Sequence, residues 1–240
     1  MVFDAALFLD RIDAATGELL ATAAGLGDAD VRRPSLLPGW SRGHVLTHLA
    51  RNADGGLRLL GWARTGVPAQ EYPSLAARAA EIEAGAGRGA AELLADLRAG
   101  ADRFAAEYRR MPSAAWEVTV RWTRGQEHPA ARIADSRLAE VLLHHVDLDA
   151  GFGCEQWPPD FVQDLLGRVA ASFRSRADAP AVRLLATDTG ERHDLAPGDR
   201  QAPTAAGPQA ELLCWLIGRS DGAGLDLRGA AVLPQPPALY

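Results

Sequence analysis

Lysine is absent from this sequence: all 25 basic residues are arginine. Exposed arginine and lysine serve equally well on most surfaces, so structure does not demand this. With alanine and glycine abundant, it reads as a coding bias toward G and C. Arginine does matter where a planar fork must hold a carboxylate. Cysteine is scarce too, with only Cys154 and Cys214, far apart and in no CxxC pair. That spacing argues against a disulfide framework. Cys214, inside the apolar run Leu212-Leu213-Cys214-Trp215-Leu216, is expected to be a small core residue. No stretch approaches the roughly 18 apolar residues of a membrane span. No basic segment precedes a hydrophobic one near Met1, so the expected location is the cytoplasm. The basic face that nucleic-acid binding needs is also missing, because the net charge is −6. A single buried arginine can still override that field for a small anion.

What is present is ordinary for a globular protein: 48% hydrophobic and 23% charged residues in 240. That length allows one large domain or two small ones, and either can bury a core. Phe3, Leu7, Ile12, Leu19 and Leu20 recur at helical spacing and predict a helix over 3–25. Ser41 is a good N-cap for a second helix over 42–64, whose apolar stripe is Val45, Leu49, Ala53, Leu57 and Leu60. Gly55 and Gly56 weaken its middle or let something approach closely. Helices are expected over 74–84 and 88–111, the latter closed by Pro112. Alternation over 116–121 predicts a strand that turns back at Arg124-Gly125-Gln126. A helix over 133–149 follows. Beyond Gly151 the character changes: a helix over 160–175, strands at 181–186 and near His193 to Ala196, a helix over 208–218 and an extended tail. The fold class expected is α+β, a helical bundle over residues 1–153 and a small α/β domain over 154–240.

The best chemical signal is Glu140-Val141-Leu142-Leu143-His144. A separation of four puts both side chains on one helix face. A carboxylate oxygen with an imidazole nitrogen suits a divalent ion, Zn²⁺ above all. One helix cannot complete such a site. His48 is the natural third ligand, because it lies between Val45 and Leu49 of the apolar stripe and points near the core. Facing helices of a bundle are a usual place for metal sites. The bland alternatives are a surface pair for Glu140 and His144 and a satisfied core histidine for His48. His145 sits about 100° around the helix from His144 and cannot share its direction. His44 is read as a non-ligand that lines the site at most. Asp147 either orients a neighbouring group or sits solvated at the helix end.

The run Gly39-Trp40-Ser41-Arg42-Gly43-His44-Val45-Leu46-Thr47-His48-Leu49 resembles the first metal-binding helix of mycothiol-dependent maleylpyruvate isomerases. Arg137 to Leu148 resembles that family's second motif. The resemblance implies a DinB-like four-helix bundle holding a divalent metal on His48, Glu140 and His144, with mycothiol as thiol cosubstrate. It implies maleylpyruvate as substrate and fumarylpyruvate as product. Catalysis then runs by thiol addition, rotation about the resulting single bond, and elimination. It also assigns a catalytic arginine from the second domain, matched here by Arg219 after the apolar helix. Read without the family, Arg219 is equally an ordinary basic residue complementing a helix dipole. Two other functions keep the same site: a mycothiol S-transferase acting on another electrophile, and a non-enzymatic metal-binding or regulatory protein. No coiled-coil pattern is present, and a monomer is expected.

Overall fold

The computed structural model describes residues 3–195, 201–230 and 232–237. The chain divides into two compact units, Met1–Phe152 and Gly153–Tyr240. Among the described residues no helix is long and apolar enough to cross a membrane.

The first unit is helical. Its elements are α1 (Ala5–Ala24), the single turn α2 (Asp28–Val31), α3 (Arg42–Thr65), α4 (Leu75–Ala86) and α5 (Ala90–Arg109). A short hairpin, β1 (Thr119–Arg121) with β2 (Glu127–Pro129), precedes α6 (Ala131–Asp147). The four long helices α1, α3, α5 and α6 form the bundle: α3 packs on α5 and α6, and α1 packs on the same two. Leu19, Val45, Leu49, Leu60, Leu97 and Val141 are sealed between them. Each such side chain contributes about 1.5–3 kcal/mol on leaving water.

Local chemistry sets the ends of α3. The Ser41 hydroxyl accepts from His44 N–H, and Ser41 N–H donates back to His44 Nδ1 at 3.2 Å. This is a capping box with histidine in the place usually held by glutamate. At the other end Gly66 takes the left-handed conformation at φ 74° and donates to Trp62 O. The mid-helix glycines do admit close neighbours: a Cβ at Gly56 would stand 2.8 Å from the Phe104 ring. Gly43 faces the backbone carbonyl of Ala86, and a Cβ at Gly85 would meet Thr47 Cγ2 at 2.5 Å. These two small residues let α4 lie directly on α3.

The strand expected over 116–121 is shorter. A 3-10 turn at Ser113–Glu117 takes its first half and leaves only Thr119–Arg121 extended. Pro112 opens that turn, and Trp116 is anchored by Tyr108 and Phe3, with ring centres 4.5 and 5.0 Å away. Anchoring of the tryptophan overrides the local alternation.

The second unit opens with a 3-10 turn at Cys154–Gln156 and α7 (Pro159–Arg174). Then come β3 (Arg183–Ala186), β4 (Arg192–Asp194), β5 (Thr204–Gly207), α8 (Gln209–Leu216) and β6 (Asp226–Arg228). The sheet order is β4-β3-β5-β6, with β3 and β5 parallel and both outer pairs antiparallel. The strand expected near His193 to Ala196 is β4, and Ala196 itself lies outside the described residues. One expectation is corrected: Cys154 and Cys214 form a disulfide. Their separation of 60 residues says nothing about distance, because α8 packs against the 3-10 turn that carries Cys154. Cys214 is nonetheless a core residue.

Candidate metal centre

His48 projects from the middle of α3, and Glu140 and His144 from successive turns of α6. Because α3 and α6 pack together, the three meet. His48 Nε2 lies 2.8 Å from Glu140 Oε2, and His144 Nε2 lies 3.4 Å from the same oxygen. The two imidazoles stand edge to face at 89°, with centres 4.5 Å apart. One ligand atom from each residue falls within 4.8 Å of the others. Among the described residues this is the one group of three or more histidine, cysteine or acidic side chains so placed.

The environment of each group follows from its neighbours. His48 is 2% exposed; burial, then the positive His144, lowers its pKa to about 4. For Glu140 burial acts upward, but the attraction of His48 and hydrogen bonds from both imidazoles outweigh it. The carboxyl is held well below its usual range. For His144 burial acts downward, yet its bonds to Asp147 and Glu140 win and raise it to about 9. Asp147 is wholly buried and takes His144 Nδ1 at 2.7 Å. Of the two roles open to Asp147, the structure therefore selects the one that orients a neighbour.

This donor set fits a divalent cation. Two imidazole nitrogens and one carboxylate oxygen converge, and three protein ligands leave coordination positions open. The far nitrogen of His144 is fixed by a carboxylate, the bracing that metal-bound imidazoles usually have. His44 is not part of the group: its Nδ1 is engaged by Ser41 and its Nε2 faces Glu83 Oε2 at 3.1 Å. His145 points away and packs in the core. Arg219 lies in the second unit just after α8, where its N–H donates to Cys214 O and its Nη1 to Ile217 O at 3.0 Å.

Sequence reasoning overlooked two residues of this unit. Arg78 on α4 donates from Nη2 to His48 Nδ1 at 2.9 Å. Arg137, one turn before Glu140, is buried, and its Nη1 bridges Leu49 O and Asn52 Oδ1 at 2.9 and 2.8 Å. Burial lowers Arg137 to about 10, so it stays charged at neutral pH. Beside it, a cleft enclosing about 260 Å³, mouth included, runs along α3 and α6 between Asn52, Gly56, Ile133, Ser136 and Trp122. Arg137 was legible as part of a motif, without a role. Arg78 had no signal at all, because only the packing of α4 on α3 brings it near.

The fold and the trio define a helical-bundle protein with a two-histidine, one-glutamate cluster between its helices, of the kind that binds divalent metals. The chain belongs to the mycothiol maleylpyruvate isomerase family. The family model for the N-terminal domain matches residues 12–149, and that for the C-terminal domain matches residues 156–237. The crystal structure of the mycothiol-dependent maleylpyruvate isomerase is 26% identical, with a TM-score of 0.91 over 98% of this chain and 97% of that one. A histidine-to-alanine mutant of that enzyme, also solved, is 25% identical with the same TM-score and coverage. No curated protein matches the sequence. The fold is thus the expected DinB-like bundle followed by a small α/β domain.

Proposed function

We propose that the protein is a metal- and mycothiol-dependent isomerase converting maleylpyruvate to fumarylpyruvate, acting as a cytoplasmic monomer. The observation that carries this reading is the convergence of His48, Glu140 and His144 in a chain whose whole length matches a mycothiol-dependent maleylpyruvate isomerase.

The reaction changes cis to trans about a C=C bond, which cannot rotate freely. A thiolate solves this without being consumed. Its sulfur bonds to one alkene carbon, and the π electrons move onto the conjugated carbonyl oxygen. The remaining single bond rotates. The electrons then return, the C–S bond breaks and the thiolate leaves. A divalent cation such as Zn²⁺ supplies Lewis acidity that favours the deprotonated thiol at neutral pH. His48, Glu140 and His144 hold that cation. Asp147 keeps His144 oriented, with Nε2 toward the shared centre and Nδ1 on the carboxylate. Burial around His48 keeps its imidazole neutral, the form that ligates. Arg219 is assigned the binding of a substrate carboxylate or of the enolate formed on addition.

The test is turnover of maleylpyruvate by Zn²⁺-loaded protein with and without mycothiol, followed by absorbance and product mass. Thiol-dependent fumarylpyruvate with the thiol recovered intact is expected. A stable thiol conjugate would instead make the protein an S-transferase, and inertness with every thiol would leave a binding protein. Arg219→Ala is expected to lower turnover while metal content stays constant.

A further inference from the structure

Arg78 is held beside the trio by an unusual set of partners. Its Nη2 meets His48 Nδ1 at 2.9 Å. Its guanidinium carbon stands 5.6 Å from the ring centre of Tyr72, a buried residue. Neither partner carries negative charge. Every arginine on α3 and α6 behaves differently: Arg42, Arg51, Arg58, Arg64, Arg132 and Arg137 each donate to a carboxylate, carbonyl or amide oxygen of the protein. Arg78 has no such oxygen among the described residues, and it is half-buried rather than out in solvent.

The bond to His48 is also conditional. A guanidinium only donates, so His48 Nδ1 accepts here and the ring's one N–H lies at Nε2, against Glu140. A cation on Nε2 needs the lone pair there. The ring proton then sits on Nδ1, where it opposes the Arg78 N–H, and that bond cannot persist. Loading the trio therefore frees a positioned guanidinium at its edge.

We propose that Arg78 is a carboxylate-binding residue of this site, released from His48 when the trio is loaded and then paired with one carboxylate of a small unsaturated diacid. The planar fork matches a carboxylate bidentately, and Tyr72 keeps it in place. The choice of a diacid rests on the proposed isomerase reading; a site for an organic carboxylate does not.

The test compares Zn²⁺-loaded wild type, Arg78→Gln and Arg78→Lys by calorimetric titration with maleate, a diacid probe, and with acetate. Zinc content and steady-state kinetics with maleylpyruvate are measured on the same samples. Arg78→Gln is expected to keep its zinc but to bind both maleate and acetate about 10- to 100-fold more weakly. Its KM for maleylpyruvate should rise by a similar factor with kcat less affected, and Arg78→Lys should recover part of both. Maleate affinity within about twofold of wild type, no maleate binding by wild type, or zinc loss in both variants would each overturn the proposal. Arg78-dependent maleate binding in a protein that does not turn over maleylpyruvate would sink the isomerase reading and leave this subsite standing. Turnover with no effect of Arg78→Gln on KM or maleate would do the reverse.

Discussion

On one face of α6, His144 lies against Glu140 and the buried Asp147. On the other, His145 stacks flat on Phe152 at 3.8 Å, and its Nε2 shares a hydrogen bond of 2.8 Å with Thr22 Oγ1. The two residues are neighbours in sequence and both are largely buried, yet burial has opposite results. His144 is raised to about 9, because two carboxylates outweigh the loss of water. His145 has no carboxylate beside it, and burial alone lowers it to about 4. Its Nδ1 has no hydrogen-bond partner, so a proton there would be buried without an acceptor. Placement of acids, not depth, sets the two neighbouring imidazoles apart.

The sharpest way to break this comparison is to remove each ring in turn. His144→Ala is expected to reduce bound zinc to background and to abolish thiol-dependent turnover. His145→Leu is expected to keep a full equivalent of zinc. Elemental analysis of both variants, with urea melts to verify folding, decides the matter; equal zinc in the two would erase the distinction.

A second contrast lies in pH. The folded pKa of His145 is lowered from its ordinary 6.5, so between about 4 and 6.5 the unfolded chain binds a proton that the folded one does not. Stability is complete above 6.5 and falls as pH drops toward 4, by up to about 3 kcal/mol. Urea unfolding at several pH values should show a shallower acid loss in His145→Leu than in wild type, both zinc-loaded so that His48 does not titrate. Smaller still, Asp147→Asn keeps the shape but removes the charge that braces His144. It should weaken zinc about 10- to 100-fold, read by competition with a chelator. The smallest effect expected is that of Thr22→Val, which deprives His145 of its hydroxyl partner and should cost about 1 kcal/mol in a urea melt without touching zinc.

Much of this arrangement was legible in the chain. Glu140 and His144 announce a shared face by their spacing, and His48 announces its inward direction by Val45 and Leu49. Ser41 and Pro112 mark helix ends because their chemistry is local. What was hidden depends on contacts between distant segments. The role of Asp147 needed the turn geometry that brings its carboxylate to Nδ1 of His144. Arg78 needed the close approach of α4 to α3 that Gly43 and Gly85 permit. The Cys154–Cys214 disulfide needed α8 beside the turn that carries Cys154. Strand β5, Thr204–Gly207, escaped notice because its middle is two alanines, which carry no strand signal.

The central claim is that His48, Glu140 and His144 hold one divalent ion with a position left for a thiol. X-ray absorption at the zinc edge tests it most directly, on wild type and His144→Ala with and without mycothiol. The account predicts nitrogen and oxygen ligands near about 2.0–2.1 Å in wild type, and one added sulfur near about 2.3 Å with thiol. A wild-type spectrum indistinguishable from that of His144→Ala, or one unmoved by mycothiol, would contradict it.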